Sequence, residues 1–178
     1  MKPRAEASRG KEAGAGCAMT GEVSRGGQAR TEGAIKGGGE AGYIFDLMKL
    51  ASEKRVDAGG NYSTAIGGLV EGERMQCGLM QKARGTGARP HSHPNEQWNY
   101  VIKGRLRVNI EGQPEQIVGP GTLIYFPANI VHSTVALPDE DVLFFVVKDM
   151  SYGIVGKPVD EAAGKYYEPG FEPDSQKS

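Results

Sequence analysis

The chain has only three histidines, and two of them stand one residue apart: His91 and His93, in the stretch RPHSHPNEQWNYVIKG. The third, His132, lies in FPANIVHSTVAL. On an extended strand the side chains at i and i+2 share a face, so both imidazoles of the pair point the same way and come close enough to share an ion. Gln97 keeps that parity if the turn at His93-Pro94-Asn95 preserves it, and it adds an oxygen donor. Three imidazoles and one oxygen suit a divalent transition metal, with iron, manganese, nickel and zinc all compatible. For any one of these histidines the alternative is a hydrogen-bonded core side chain. It is weaker for the set, because no histidine is left over elsewhere.

Positioning such a cluster needs strands. From Tyr43 onward the sequence consists of short apolar runs punctuated by glycine and proline: YIFDLM, STAIGGLVEG, MQCGLMQKA, WNYVIKG, RLRVNIEG, EQIVG, TLIYFPA, HSTVALP and VLFFVVKD. They recur at roughly 8 to 12 residues, the spacing of an all-β sandwich or barrel. NYVIKGRLRVNI reads as a hairpin turning at Lys103-Gly104, where glycine supplies a positive φ. Arg105 to Ile110 then alternates polar and apolar, with one face in water and one in the core. Met75, Cys77 and Leu79 alternate as core positions of a further strand. Helix is scarce, limited to a turn or two over residues 47–56.

The 178 residues allow one domain with appendages. Residues 1–40 are Gly, Ala and scattered charge, too poor in large aliphatics to offset the entropy of ordering, and read as a disordered arm. Five glutamates in that arm (Glu6, Glu12, Glu22, Glu32, Glu40) argue against an organelle transit peptide. The β domain occupies 41–150, and 151–178 form a polar tail lying over it. A net charge of −1 leaves no basic excess for nucleic acid. No run approaches the roughly 20 apolar residues of a membrane span. Cys17 and Cys77 sit in unlike contexts and do not read as a disulfide. The expected compartment is the cytoplasm.

Two segments carry a family resemblance. Gly87, His91, His93, Gln97 and Gly104 stand at the spacing of the first cupin motif. Gly121, Pro127 and His132 resemble the second, with Asn129 in place of its usual glycine and Ala136 in place of its asparagine. Asparagine tolerates positive φ, so the turn at Asn129 survives. The resemblance implies a single-domain jelly-roll β-barrel, usually a homodimer, with a metal in its mouth held by His91, His93, Gln97 and His132.

The family's fourth ligand is commonly glutamate. Glu96 precedes Gln97, but adjacent strand residues face opposite ways, and Glu96 would need a bulge to reach the ion. With glutamine, the charge of a divalent ion is uncompensated, and the site favours small anionic, oxygen-chelating molecules. The chemistry implied is a dioxygenase-type cleavage or a redox-neutral lyase or isomerase reaction. Tyr125 is a candidate phenol for proton transfer, and Arg89 a rim cation for a substrate carboxylate. Asn99 is placed inside the barrel and Trp98, Tyr100 and Ile102 outside it. The competing reading is a non-catalytic barrel that binds a metal or small ligand at a closed, four-coordinate site.

Overall fold

A computed structural model describes residues 31–174. Fourteen strands follow in chain order: β1 (Ile35–Lys36), β2 (Val56–Asp57), β3 (Ile66–Glu71), β4 (Met75–Lys82), β5 (Thr86–Gly87), β6 (His91–Ser92) and β7 (Gln97–Lys103), then β8 (Leu106–Ile110), β9 (Gln116–Val118), β10 (Leu123–Phe126), β11 (His132–Ala136), β12 (Val142–Asp149), β13 (Lys157–Pro158) and β14 (Tyr166–Tyr167). They form two seven-stranded sheets. One runs β1-β3-β4-β12-β7-β10, with β2 on β3. In the other, β11 is central: β8 and then β9 lie to one side, and the short strands β5 and β6, carrying β14 and β13, also pair with it.

This is the all-β jelly roll that the sequence implies, built as two facing sheets rather than one closed cylinder. The alternating strands determine what lies between them. Val142, Phe144 and Val146 of β12 and Val101 of β7 meet Leu106 and Val108 of β8, with Phe126 of β10 closing the core. Removing such side chains from water is the main stabilising term. The opposite face of β7 and β10 leaves Trp98, Tyr100, Ile102, Leu123 and Tyr125 exposed.

Four expectations need correction. The runs on either side of Gly104 do not pair as a hairpin: β7 belongs to one sheet and β8 to the other. Gly104 turns the chain across the sandwich with φ 79°, at a point where a Cβ would lie 2.5 Å from the Asp141 carbonyl oxygen. YIFDLM is not a strand; Tyr43 and Ile44 are exposed, and Asp46 caps the helix α1 (Leu47–Glu53) through Lys49 N at 3.0 Å. On β4 the inward face is that of Gln76, Met80 and Lys82, whereas Met75 is exposed and Cys77 half-buried, so the parity read from MQCGLM is reversed except at Leu79, which is buried. Residues 31–40 are not without structure, since Ile35–Lys36 pair in parallel with Val70 and Glu71 of β3. The arm expected over 1–30 lies outside the described residues.

The C-terminal segment joins the second sheet. Lys157 and Pro158 pair with β6, Tyr166 and Tyr167 pair with β5, and Arg107 is bonded to Glu168. The helix docks on β3 at Gly68, where a Cβ would lie 2.7 Å from Ala51 N.

Gly104 gives the fold its simplest test. Gly104→Ala adds a side chain where both φ and space forbid it, and we expect a loss of roughly 2 kcal/mol or more in urea unfolding. An unchanged midpoint would refute the crossover geometry.

Candidate metal centre

His132 begins β11 and His91 begins β6, and the antiparallel register sets them directly opposite each other. They are therefore neighbours on one sheet, rather than facing each other across a barrel. His93 follows one residue after β6, in the turn His93-Pro94-Asn95. Ring centroids lie 4.3 Å apart for His91 and His132, 4.9 Å for His93 and His132, and 6.1 Å for His91 and His93. One nitrogen from each falls within 4.8 Å of the other two. These three residues form a group that could hold a metal ion.

The backbone decides which nitrogens are offered. Each Nδ1 lies against a carbonyl oxygen two residues away and donates to it: His91 to Arg89 at 2.8 Å, His93 to Asn95 at 2.7 Å, and His132 to Ile130 at 3.0 Å. That bond fixes the tautomer with the Nε2 lone pair open, as second-sphere partners of metal-binding histidines do. The Nε2 atoms of His93 and His132 are buried and have no hydrogen-bond partner. Orphaned polar atoms of this kind are rare in a core and fit a ligand to an ion.

Burial keeps the imidazoles neutral. Loss of solvent pushes His91 down to about 2, His132 to about 3 and His93 to about 4; neighbouring positive charges add to the effect, and the carbonyl bonds partly oppose it. Tyr62 packs against His91 at 4.5 Å and Phe126 stacks on His132 at 4.2 Å, which holds both rings in place.

A cavity of about 50 Å³ opens beside His91 and His132, room for about two waters. Gln97 and Asn99 line it from β7. Gln97 Nε2 donates to Asn99 Oδ1 at 2.9 Å, and the amide lies close enough to His93 to offset part of the burial shift on that ring. The structure thus brings Gln97 to the three histidines. Glu96 is turned to the outer face, where its Oε1 accepts from the Tyr125 hydroxyl at 2.7 Å.

The two other residues singled out from sequence lie elsewhere. Tyr125 is on the exposed side of β10, stacked on Trp98 at 4.4 Å, because Ile124 and Phe126 take the inward parity. It does not reach the cavity. Arg89 lies over the Tyr166 ring at 5.0 Å and is not among the residues lining the cavity. The phenol in the cavity is Tyr62, whose oxygen accepts from Gly156 N at 2.7 Å and whose pKa burial pushes up to about 12. Lys82 and Lys148 also line the cavity, both buried, and burial pushes each down to about 7. In the sequence each closes an apolar run, where a lysine reads as a strand end. Their signal was parity: Met80 precedes Lys82 by two, and Val146 precedes Lys148 by two.

Residues 78–148 match the family model described as a cupin domain. That match supports a cupin fold over this segment of the chain. Among solved structures, this chain is similar to a cupin-like protein from Thermotoga maritima, at 27% identity over 43% of this chain and 58% of that one, TM-score 0.41. It is also similar to KdgF from a Halomonas species, at 27% identity over 43% and 70% with TM-score 0.41. A single-substitution variant of oxalate decarboxylase from Bacillus subtilis shares 35% identity over 44% of this chain and 22% of that one, TM-score 0.39. The chain thus spans 58% of the Thermotoga protein and 22% of the decarboxylase. No curated protein matches it. Among the described residues no helix is long and apolar enough to cross a membrane.

The two lysines make stability depend on pH. Their folded values, about 7, lie below the free value of 10.5. Between those limits the unfolded chain binds more protons, so stability climbs as pH rises from 7 and the cost is constant below 7. Urea unfolding at pH 7 and 9 should show wild type gaining on the order of 1–2 kcal/mol per lysine relative to the K82M/K148M double variant. Parallel behaviour of the two proteins would contradict the burial of these groups.

Proposed function

We propose that this protein is a mononuclear metal-dependent enzyme acting on a small anionic or oxygen-chelating molecule, with His91, His93 and His132 as ligands and Gln97 as the fourth donor. The observation that carries the reading is the convergence of three buried imidazoles whose Nδ1 atoms are all held by backbone carbonyls. Iron, manganese, nickel and zinc all suit such a donor set. A divalent ion held there supplies a Lewis acid for an oxygen of the ligand.

The remaining roles belong to the protein. Neutral imidazoles and an amide bring no negative charge, so the anion that completes the site must come from the ligand. Tyr62 remains protonated at neutral pH, and the Gly156 N–H occupies one acceptor position of its oxygen, leaving the hydroxyl proton for an acceptor in the cavity. Core side chains around the rings exclude water and strengthen each of these interactions. A phenol and two lysines whose pKa burial lowers to about 7, beside the histidines, favour redox-neutral proton transfer, of the lyase or isomerase kind, over oxidative cleavage. The open volume next to His91 and His132 favours an enzyme over a closed structural site.

Metal analysis of protein purified without a histidine tag tests the ligand set. Wild type should hold about one divalent ion per chain, and His132→Ala should lower its affinity by roughly 100-fold, the scale of a lost ligand. If wild type and His132→Ala both remain metal-free after supplementation with iron, manganese, nickel and zinc, the assignment is wrong. Gln97→Glu places a carboxylate on the ion and should tighten metal binding about tenfold while weakening anionic ligands. Tighter binding of both would refute the charge argument.

A further inference from the structure

Lys82 and Lys148 are 3% and 2% exposed, too deep to extend to solvent. Both come from the sheet that faces the histidine-bearing strands, Lys82 at the end of β4 and Lys148 near the end of β12. These strands are antiparallel, with Lys82 opposite Val142 and Lys148 opposite Gln76, so the two side chains start from opposite ends of the strand pair and reach one cavity. The charge of Lys82 acts on His91 and His132, and that of Lys148 on His93 and His132. The lysines therefore bracket the imidazole cluster.

Their hydrogen bonds are incomplete. Lys82 Nζ donates to the backbone oxygen and hydroxyl of Thr134, and Lys148 Nζ donates to the Ile154 carbonyl oxygen at 2.8 Å. An ammonium carries three protons, so Lys82 keeps one and Lys148 two. Among the described residues no acid forms an ion pair with either lysine, and no aspartate or glutamate lines the cavity. Asp149, which does not line the cavity, is the one acid among the described residues whose charge acts on Lys148, and none acts on Lys82; a metal ion on the histidines would add charge of the same sign as both lysines. The component that balances all three is an anion.

We propose that Lys82 and Lys148 form an anion seat in the histidine cavity, and that its ligand is a short-chain organic dianion, a dicarboxylate or its keto or hydroxy counterpart. The inference rests on reading the cavity as the ligand site, and names the class of molecule that site takes. Two separated cations match two negative groups rather than one. The volume, room for about two waters, favours the shortest members, with a carbon chain of about two atoms. Met80, Phe144 and Val146 supply apolar wall for the carbons between the charges.

The test uses full-length, tag-free protein dialysed against EDTA, titrated calorimetrically with oxalate, malonate, succinate and the monoanion acetate. At least one dicarboxylate should bind wild type ten times more tightly than acetate. Lys82→Met and Lys148→Met should each weaken that binding tenfold or more, and the double variant should abolish it. Methionine keeps the length and removes only the charge, so the variants should stay folded, checked by thermal unfolding. Absence of dicarboxylate binding to wild type, equal binding of acetate, or full binding by the double variant would overturn the proposal. Metal content of the same proteins, measured after supplementation with iron, manganese, nickel and zinc and before the EDTA step, separates the two readings. Lysine variants that keep both metal and dicarboxylate sink the seat alone, whereas a wild type without metal but with lysine-dependent dicarboxylate binding sinks the metal centre alone.

Discussion

The register of β11 against its neighbours is the constraint on which the site depends. His132 stands opposite His91 on one side and Ile110 on the other. A slip of one residue would turn Ser133 toward the cavity and His132 away from it. The strand pair β5 and β6 is short and touches β11 at isolated positions, so it cannot fix that register alone. The pairing with β8 can, because it runs the whole length of β11 and places Leu106 and Val108 in the core. The metal-ligand geometry is thus set by apolar packing at the far end of the same strand.

A second consequence concerns charge. The sheet bearing His91 and His132 offers neutral lone pairs, and the sheet bearing Lys82 and Lys148 offers donors. Between them lies a polar pocket, enclosed by a core that could have been apolar throughout. The protein leaves it electrostatically unbalanced in one direction. Each lysine is held by main-chain or hydroxyl oxygens, which stabilise an ammonium without neutralising it. Such an arrangement stabilises the fold less than apolar residues of the same volume would, and this is the usual mark of a place kept for a ligand.

The histidines and Gln97 were legible in the sequence because their types are scarce and their spacing has a simple meaning on a strand. Asn99 inside and Trp98, Tyr100 and Ile102 outside follow from the same parity. On β4 hydrophobicity and burial part company. The apolar Met75 faces water and the polar Gln76 and Lys82 face inward, so counting apolar letters chose the wrong side. Tyr125 and Tyr62 show the same limit. Both are tyrosines near apolar residues, and only the parity of β10 paired on β7, against the position of Tyr62 beside His91, tells which phenol enters the cavity. Gly104 makes the turn with positive φ that its type implies, but a turn does not specify whether the next strand returns to the same sheet.

The two motif segments are also joined directly, at a residue with a left-handed backbone. Asn129 is the one non-glycine residue with positive φ among those described, at 65°, and its N–H donates to the His93 carbonyl oxygen at 2.7 Å. His93 in turn donates through Nδ1 to Asn95, whose buried side chain donates to the Asp149 carbonyl oxygen at 2.9 Å. This chain of bonds runs from the turn before His132, through the ligand His93, to the residue after Lys148. A left-handed conformation costs a non-glycine residue about 1 kcal/mol or more, and asparagine is among the residues that bear it best. The strain is located where it aligns three parts of one site: the turn that delivers His132, the imidazole between, and the strand end that carries a buried cation.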